Sequence, residues 1–136
     1  MNLVAILQER IKGIFPDLLG VEFLEASPDM VKARLEVRGD LCTVGDILHG
    51  GAMMAFADTL GAVATVINLP EGHTTTTIES KTNFFRPATL GSTVIGECTP
   101  LHKGKRSQTW QTRLVSEEGK LIALITQTQF VFAVKA

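Results

Sequence analysis

The sequence feature that most constrains the fold is residues 50–67, where apolar and small side chains leave no polar stripe. A helix that is apolar on nearly every side is either buried in a protein or spans a membrane. About 18 residues are barely enough to span a bilayer, and a charged Asp58 near the middle is a further argument against a membrane span. The stretch therefore predicts the central buried helix of a globular domain, with small side chains that let a curved sheet approach closely.

Length and charge narrow the class of protein. The chain has 136 residues, which predicts one domain over 1–136. Its 13 Lys and Arg residues nearly balance 14 Asp and Glu residues, giving a net charge of −1. Without a basic excess, we expect neither nucleic acid nor a membrane surface as a partner.

Cysteine usage and the N-terminus bear on the compartment. Cys42 and Cys98 are too few for a disulfide framework, and neither has metal-ligand spacing. The apolar start of the chain is interrupted at Gln8, Glu9 and Arg10, which is not typical of a signal peptide. We predict a cytoplasmic protein with reduced thiols and no metal.

The remaining segments predict one helix and six strands around residues 50–67. Residues 3–14 have the period of an amphipathic helix, 15–20 contain turn residues, and 38–48 are predicted as a loop. The predicted strands are 21–26, 30–37, 74–85, 92–101, 106–116 and 121–134, with hairpin turns at Gly104 and 117–120. One long apolar helix against an antiparallel sheet is an α+β arrangement of two layers.

Asp58 is the residue with the clearest chemical significance. Burying a carboxylate on an apolar helix costs folding free energy unless the group is paired or protonated, so an unpaired one indicates a function. One interpretation is structural, with Asp58 bonded to a hydroxyl such as that of Thr59. The other is a general base or nucleophile held beside a substrate carbonyl.

His49, Gly50 and Gly51 stand where the apolar helix begins. Glycines there let a ligand approach the backbone, and the free N–H groups of a first turn can bind an oxyanion, although an ordinary helix start has the same composition. Gly50 and Asp58 are separated by about 12 Å along one helix, so one carbonyl cannot touch both. If both act on one substrate, they come from two subunits of a two-fold dimer whose helices run in opposite directions.

Residues 49–59 resemble a known family. Their H-G-G-x(6)-D pattern is similar to that of hotdog-fold thioesterases, most of all the phenylacetate-degradation (PaaI-like) branch related to 4-hydroxybenzoyl-CoA thioesterases of the Arthrobacter type. Residues 77–88 look like that family's strand ending in an aromatic-x-Pro-Ala turn, and residues 102–106 look like its basic hairpin. The resemblance covers nearly the whole chain.

The resemblance implies a fold, an activity and an assembly. The fold is the hotdog fold, a long central helix wrapped by a six-stranded antiparallel sheet, here with an N-terminal helix. The implied activity is hydrolysis of acyl-CoA thioesters by dimers, usually paired into tetramers, with no metal and no organic cofactor. The acyl group is not implied beyond an analogy with aromatic acids.

Roles in catalysis carry over by position. Asp58 matches the catalytic carboxylate, and Gly50 matches the residue whose N–H polarises the thioester carbonyl. His49 matches a histidine that supports the site, and Thr77 matches a strand hydroxyl that helps hold the attacking water. Thr43 stands where the family often has Asn or Gln contacting the thioester.

Further residues are candidates for binding CoA or the acyl group. The phosphates of CoA are expected to attract the cations around Gly104, with Arg86 as another candidate, although a solvated hairpin has the same composition. Gly51 and Phe84 complete the predicted substrate site, and one of Phe84 and Phe85 is expected to line the core because neighbouring strand residues face opposite ways. The hairpin cations are Lys103, Lys105 and Arg106.

Two other functions are compatible with the pattern. Thr43 in place of Asn or Gln favours a non-catalytic acyl-CoA-binding or regulatory protein. An enoyl-thioester hydratase is the third hypothesis, although the pairing of histidine and acid that such enzymes use is not visible here.

Overall fold

The computed structural model describes residues 2–135, and the elements named here belong to that range. The helices are α1 (Leu3–Arg10), α2 (Phe15–Leu19) and α3 (Gly50–Ile67). The strands are β1 (Glu22–Ser27), β2 (Met30–Glu36), β3 (Cys42–Thr43), β4 (Ile47–Leu48), β5 (His73–Phe84), β6 (Thr93–Lys103), β7 (Ser107–Ser116) and β8 (Leu121–Ala133).

Six long strands form one antiparallel sheet in the order β1-β2-β6-β7-β8-β5, and α3 packs against its inner face. Helix and sheet close over one core, in which Gly96 of β6 leaves room for Phe56 and Leu60 of α3. This arrangement confirms the predicted α+β class and the hotdog architecture. The largest fully buried apolar side chains are Trp110, Phe56, Leu35, Leu60, Leu114 and Ile125.

The sheet covers α3 on one side only. By length and a mean hydropathy of 1.5 the helix is apolar enough to cross a membrane, yet Phe56, Leu60 and Ala64 on its inner side are fully buried within the fold. On the other side, a stripe at the helical spacing of three or four residues keeps partial exposure. This stripe, the outer face of α3, consists of Gly51, Ala55, Asp58, Ala62 and Val66.

Three segments differ from the prediction. Helix α1 ends at Arg10, so residues 11–14 of the predicted helix lie in a turn. The predicted turn at residues 15–20 contains α2, because Pro16 fits the first turn of a helix and Gly20, with φ +89°, ends it in the left-handed region. The predicted loop at residues 38–48 contains a 3₁₀ turn and the short hairpin of β3 and β4. Local turn residues indicated these bends without distinguishing a loop from a turn of helix.

A bulge in β5 determines which side chains face α3. Thr77 pairs with Gln129 and Glu79 with the preceding Thr128, so Ile78 is the extra residue, and it is 61% exposed. Such an insertion reverses the alternation of inward and outward side chains. Thr77 therefore faces inward before the bulge, and Glu79 stays exposed after it.

Candidate active site

Asp58 lies half-buried on the outer face of α3, held by donors from the sheet. Its Oδ1 accepts a 2.7 Å hydrogen bond from the Thr77 hydroxyl and a 3.3 Å bond from the Gln127 amide. Thr59, the partner considered from the sequence, instead donates to the carbonyl of Ala55 at 2.8 Å. The partner hydroxyl therefore comes from β5, and Thr77, predicted as a site residue, touches the predicted catalytic carboxylate.

A second layer of polar groups lies behind Thr77. The Gln129 amide donates to Thr77 Oγ1 at 2.6 Å, and its oxygen accepts from the Thr75 hydroxyl at 3.0 Å. Gln127 and Gln129 are 1% and 0% exposed. Sequence reasoning missed both glutamines. The period-two alternation of β8 could have found them, since they occupy inward positions between Ile125 and Val131, which are both buried.

The start of α3 offers a free backbone donor. His49 caps the helix, its Nδ1 accepting from the Gly51 N–H at 2.7 Å. Among residues 2–135, no acceptor contacts the Gly50 N–H. The Phe84 ring lies over Gly50, where a Cβ atom would come within 3.2 Å of it. The predicted amide of Gly50 is thus available to a ligand, while that of Gly51 is occupied by the cap.

Beside Gly50 is an apolar cavity of about 460 Å³. Thr43 and Arg86 are its polar members, and Arg86 is anchored by a 2.9 Å bond from Nη1 to the carbonyl of Leu121. Phe84 and Phe85 both line it and are 52% and 55% exposed, so the prediction that one of them lines the core is wrong. Strand β5 ends at Phe84, and the following backbone no longer alternates. The cavity is lined by Thr43, Ile47, Leu48, Gly50, Met53, Phe84, Phe85, Arg86 and Pro87.

Within one chain the carboxylate and the cavity stay apart. Asp58 is not among the residues lining the cavity, and eight residues of helix separate it from Gly50, about 12 Å at 1.5 Å per residue. This is the separation that the sequence predicted.

The basic hairpin lies at the other end of α3. Lys103 Nζ contacts Asp29 at 2.7 Å and the side chain of Asn68, the C-cap of α3, at 3.4 Å. Lys105 and Arg106 are exposed, and within residues 2–135 neither forms an ion pair. An 18-residue helix is about 27 Å long, so one chain does not bring these cations and Gly104 to its own cavity. Across the described range, no cluster of three or more His, Cys, Asp or Glu side chains could hold a metal ion.

Comparison with known proteins identifies the family. The model of the thioesterase superfamily matches residues 45–123, a segment that contains both Gly50 and Asp58. The chain belongs to the thioesterase superfamily. The matched segment runs from the turn before α3 to the start of β8.

Individual relatives agree with this family. The proofreading thioesterase EntH of Klebsiella pneumoniae is 33% identical over 102 residues, 75% of this chain and 74% of that protein. The crystal structure of thioesterase HI1161 from Haemophilus influenzae superposes with a TM-score of 0.93 at 26% identity, covering 100% of this chain and 94% of that one.

A third similar protein belongs to the PaaI-like branch that the sequence resembles. A variant of the phenylacetic acid degradation protein PaaI of Thermus thermophilus superposes with a TM-score of 0.79 at 31% identity, over 85% of this chain and 96% of that one. These matches confirm the predicted fold and the resemblance to the PaaI-like branch. They make the chain an enzyme of the thioesterase type.

Proposed function

We propose that this thioesterase hydrolyses an acyl-CoA to the free acid and CoA, using the carboxylate of Asp58. The observation that supports this proposal is the pair of hydrogen bonds that the sheet donates to Asp58. A half-buried carboxylate on the outer face of an apolar helix accepts bonds from Thr77 and Gln127 of the sheet. Such an arrangement fixes a carboxylate in one orientation while leaving it open to a ligand.

The proposed site needs a second copy of the chain. The outer face of α3 is apolar except for Asp58, and among residues 2–135 β5 has a hydrogen-bonded neighbour only on the β8 side. The free edge of a strand of 12 residues is a template for pairing with another chain. Pairing two β5 strands about a two-fold axis sets the α3 helices side by side in opposite directions. The Gly50 amide of one subunit then lies opposite Asp58 of the other, and two such dimers form the proposed tetramer.

In the proposed reaction the two groups have complementary roles. The Gly50 N–H donates to the thioester oxygen and stabilises the negative charge that develops on it. Asp58 either attacks the carbonyl carbon, forming an anhydride that water hydrolyses, or takes a proton from water as that water attacks. In both cases the C–S bond breaks and CoA leaves as the thiolate, which takes up the proton that the attacking water releases. Thr77 donates its proton to Asp58, so we propose that it positions the carboxylate, and His49 positions the start of α3.

The cavity and its cations fit the rest of an acyl-CoA. A cavity of about 460 Å³ with apolar walls is large enough for an acyl chain or the pantetheine arm, and we propose that Arg86 in its wall pairs with a phosphate of CoA. Lys103, Lys105 and Arg106 can contribute only to a CoA bound at another subunit's cavity. The cytoplasm stays the predicted compartment.

The decisive experiment replaces the carboxylate with its amide. We expect Asp58→Asn to reduce kcat by about 100-fold or more over a panel of acyl-CoAs that differ in size and aromaticity. Thermal unfolding checks that the variant folds, and Glu118→Gln, an exposed carboxylate in the turn between β7 and β8, is the matched control and should keep wild-type kcat. A folded Asp58→Asn protein with full turnover would refute the proposal.

One observation favours a second candidate. Thr43 lines the cavity beside Gly50, where the resembling family often has Asn or Gln. A non-catalytic acyl-CoA-binding protein would bind the panel tightly in calorimetry without turnover. Hydration of crotonyl-CoA, assayed beside hydrolysis, tests the hydratase hypothesis.

A further inference from the structure

We propose that Gln129 is a positioning residue of this active site, acting through Thr77 to fix which oxygen of Asp58 reacts. The inference rests on the proposed function, because it concerns the same carboxylate. Gln129 is 0% exposed and has no direct bond to Asp58. Its influence would pass through the Thr77 hydroxyl alone.

The hydrogen bonds between these groups have only one consistent direction. An ionised carboxylate accepts hydrogen bonds and cannot donate, so the single Thr77 proton goes to Asp58 at 2.7 Å. Thr77 Oγ1 must then accept from Gln129, which turns the amide NH₂ toward it at 2.6 Å. The Gln129 oxygen consequently faces the Thr75 hydroxyl at 3.0 Å, and the single proton of that hydroxyl is shared with the Phe130 carbonyl at 2.8 Å. The bond from Thr77 to Asp58 therefore fixes the direction of the Gln129 amide, and the amide in turn holds the Thr77 hydroxyl.

Both donors on Asp58 reach the same oxygen atom. Thr77 and Gln127 contact Oδ1, and Gln127 also lies 3.4 Å from the backbone carbonyl of Asp58. Within residues 2–135, no donor contacts Oδ2. The geometry therefore assigns Oδ1 to anchoring and Oδ2 to the reaction with carbonyl or water. If the Thr77 hydroxyl rotated away, Oδ1 would lose its donor, and either oxygen of Asp58 could then face the substrate.

A double-mutant cycle on kcat tests this indirect action. A hydrogen bond to a charged group corresponds to a factor of about 10 to 100, so we expect Thr77→Val to lower kcat by that amount. Gln129→Leu should also lower kcat, with KM little changed, because substrate contacts stay intact. In the Thr77→Val background, Gln129→Leu should change kcat by less than about twofold, the scatter expected of independent sites. Thr77→Ser, which keeps the hydroxyl, should restore most of the lost activity.

Gln108 provides a matched control. It is 3% exposed and lies directly opposite Gln129 in the neighbouring strand, and no bond links it to Thr77. Gln108→Leu should leave kcat within about twofold of the wild type. Should Gln129→Leu fail to fold, Gln129→Met, which is unbranched like glutamine and also lacks the amide donor, replaces it in the same cycle.

The outcomes separate this inference from the proposed function. Wild-type kcat in Gln129→Leu, or the same factor lost with and without Thr77, overturns the inference while an inactive Asp58→Asn still supports the proposed function. Full activity in Asp58→Asn overturns the proposed function itself. A loss of kcat in Gln129→Leu that disappears in the Thr77→Val background supports both.

Discussion

Gly61→Ala reverses the usual effect of replacing a helical glycine. Gly61 lies one turn beyond Asp58 inside α3, and a Cβ atom there would collide with the carbon, nitrogen and oxygen of the Gln127 amide. In an open helix the change stabilises by about 1 kcal/mol, because alanine is the better helix former. Here it forces Gln127 away from Asp58.

The expected net effect follows from three contributions. Losing the Gln127 bond to a charged group costs about 1.5 to 3 kcal/mol, and overpacking a buried site costs about 1 to 3 kcal/mol. Subtracting the propensity gain of about 1 kcal/mol leaves a net loss of roughly 1.5 to 5 kcal/mol in the free energy of unfolding. Catalysis should weaken as well, because Gln127 is one of two donors that hold the carboxylate.

Urea unfolding followed by circular dichroism measures this loss. Protein concentration is held fixed, because subunit association contributes to stability. The same substitution in a Gln127→Ala background is the matched control, since no amide is left to collide. There Gly61→Ala should stabilise by up to about 1 kcal/mol. A Gly61→Ala protein as stable as the wild type, with Gln127 in place, would refute the reasoning.

Two further predictions concern the cavity and a buried thiol. Arg86→Gln should raise KM for an acyl-CoA by about tenfold through loss of a phosphate contact, leaving KM for an acyl-pantetheine without the nucleotide unchanged. Steady-state kinetics with Arg113→Gln, an exposed arginine of β7, as control checks this, and an equal effect on both substrates would contradict it. Burial raises the pKa of the Cys98 thiol from 9.0 to about 11, so the unfolded chain ionises first and stability falls as pH rises from about 9 to about 11. The wild type should therefore lose more unfolding free energy between pH 8 and pH 11 than Cys98→Ala, and parallel losses would argue against this explanation.

Much of the fold could be predicted because hydrophobic patterning is local. The helix predicted over residues 50–67 is the observed α3, and its apolar surface predicted the sheet that covers it. The six long strands were also predicted in chain order, with bounds shifted by one or two residues. Helix α2 was not predicted, because its five residues include a proline and have the composition of a turn.

In the candidate site, too, local features could be predicted and long-range contacts could not. The sequence by itself determined that an acid lies on an apolar helix, eight residues after the glycine at its start, because both belong to one regular element. Only the tertiary structure decided what holds that acid. The bulge at Ile78 turns Thr77 inward, and the order of the sheet places Gln127 and Gln129 of β8 beside it. Strand pairing joins residues more than fifty positions apart in the chain, and no local pattern specifies such partners.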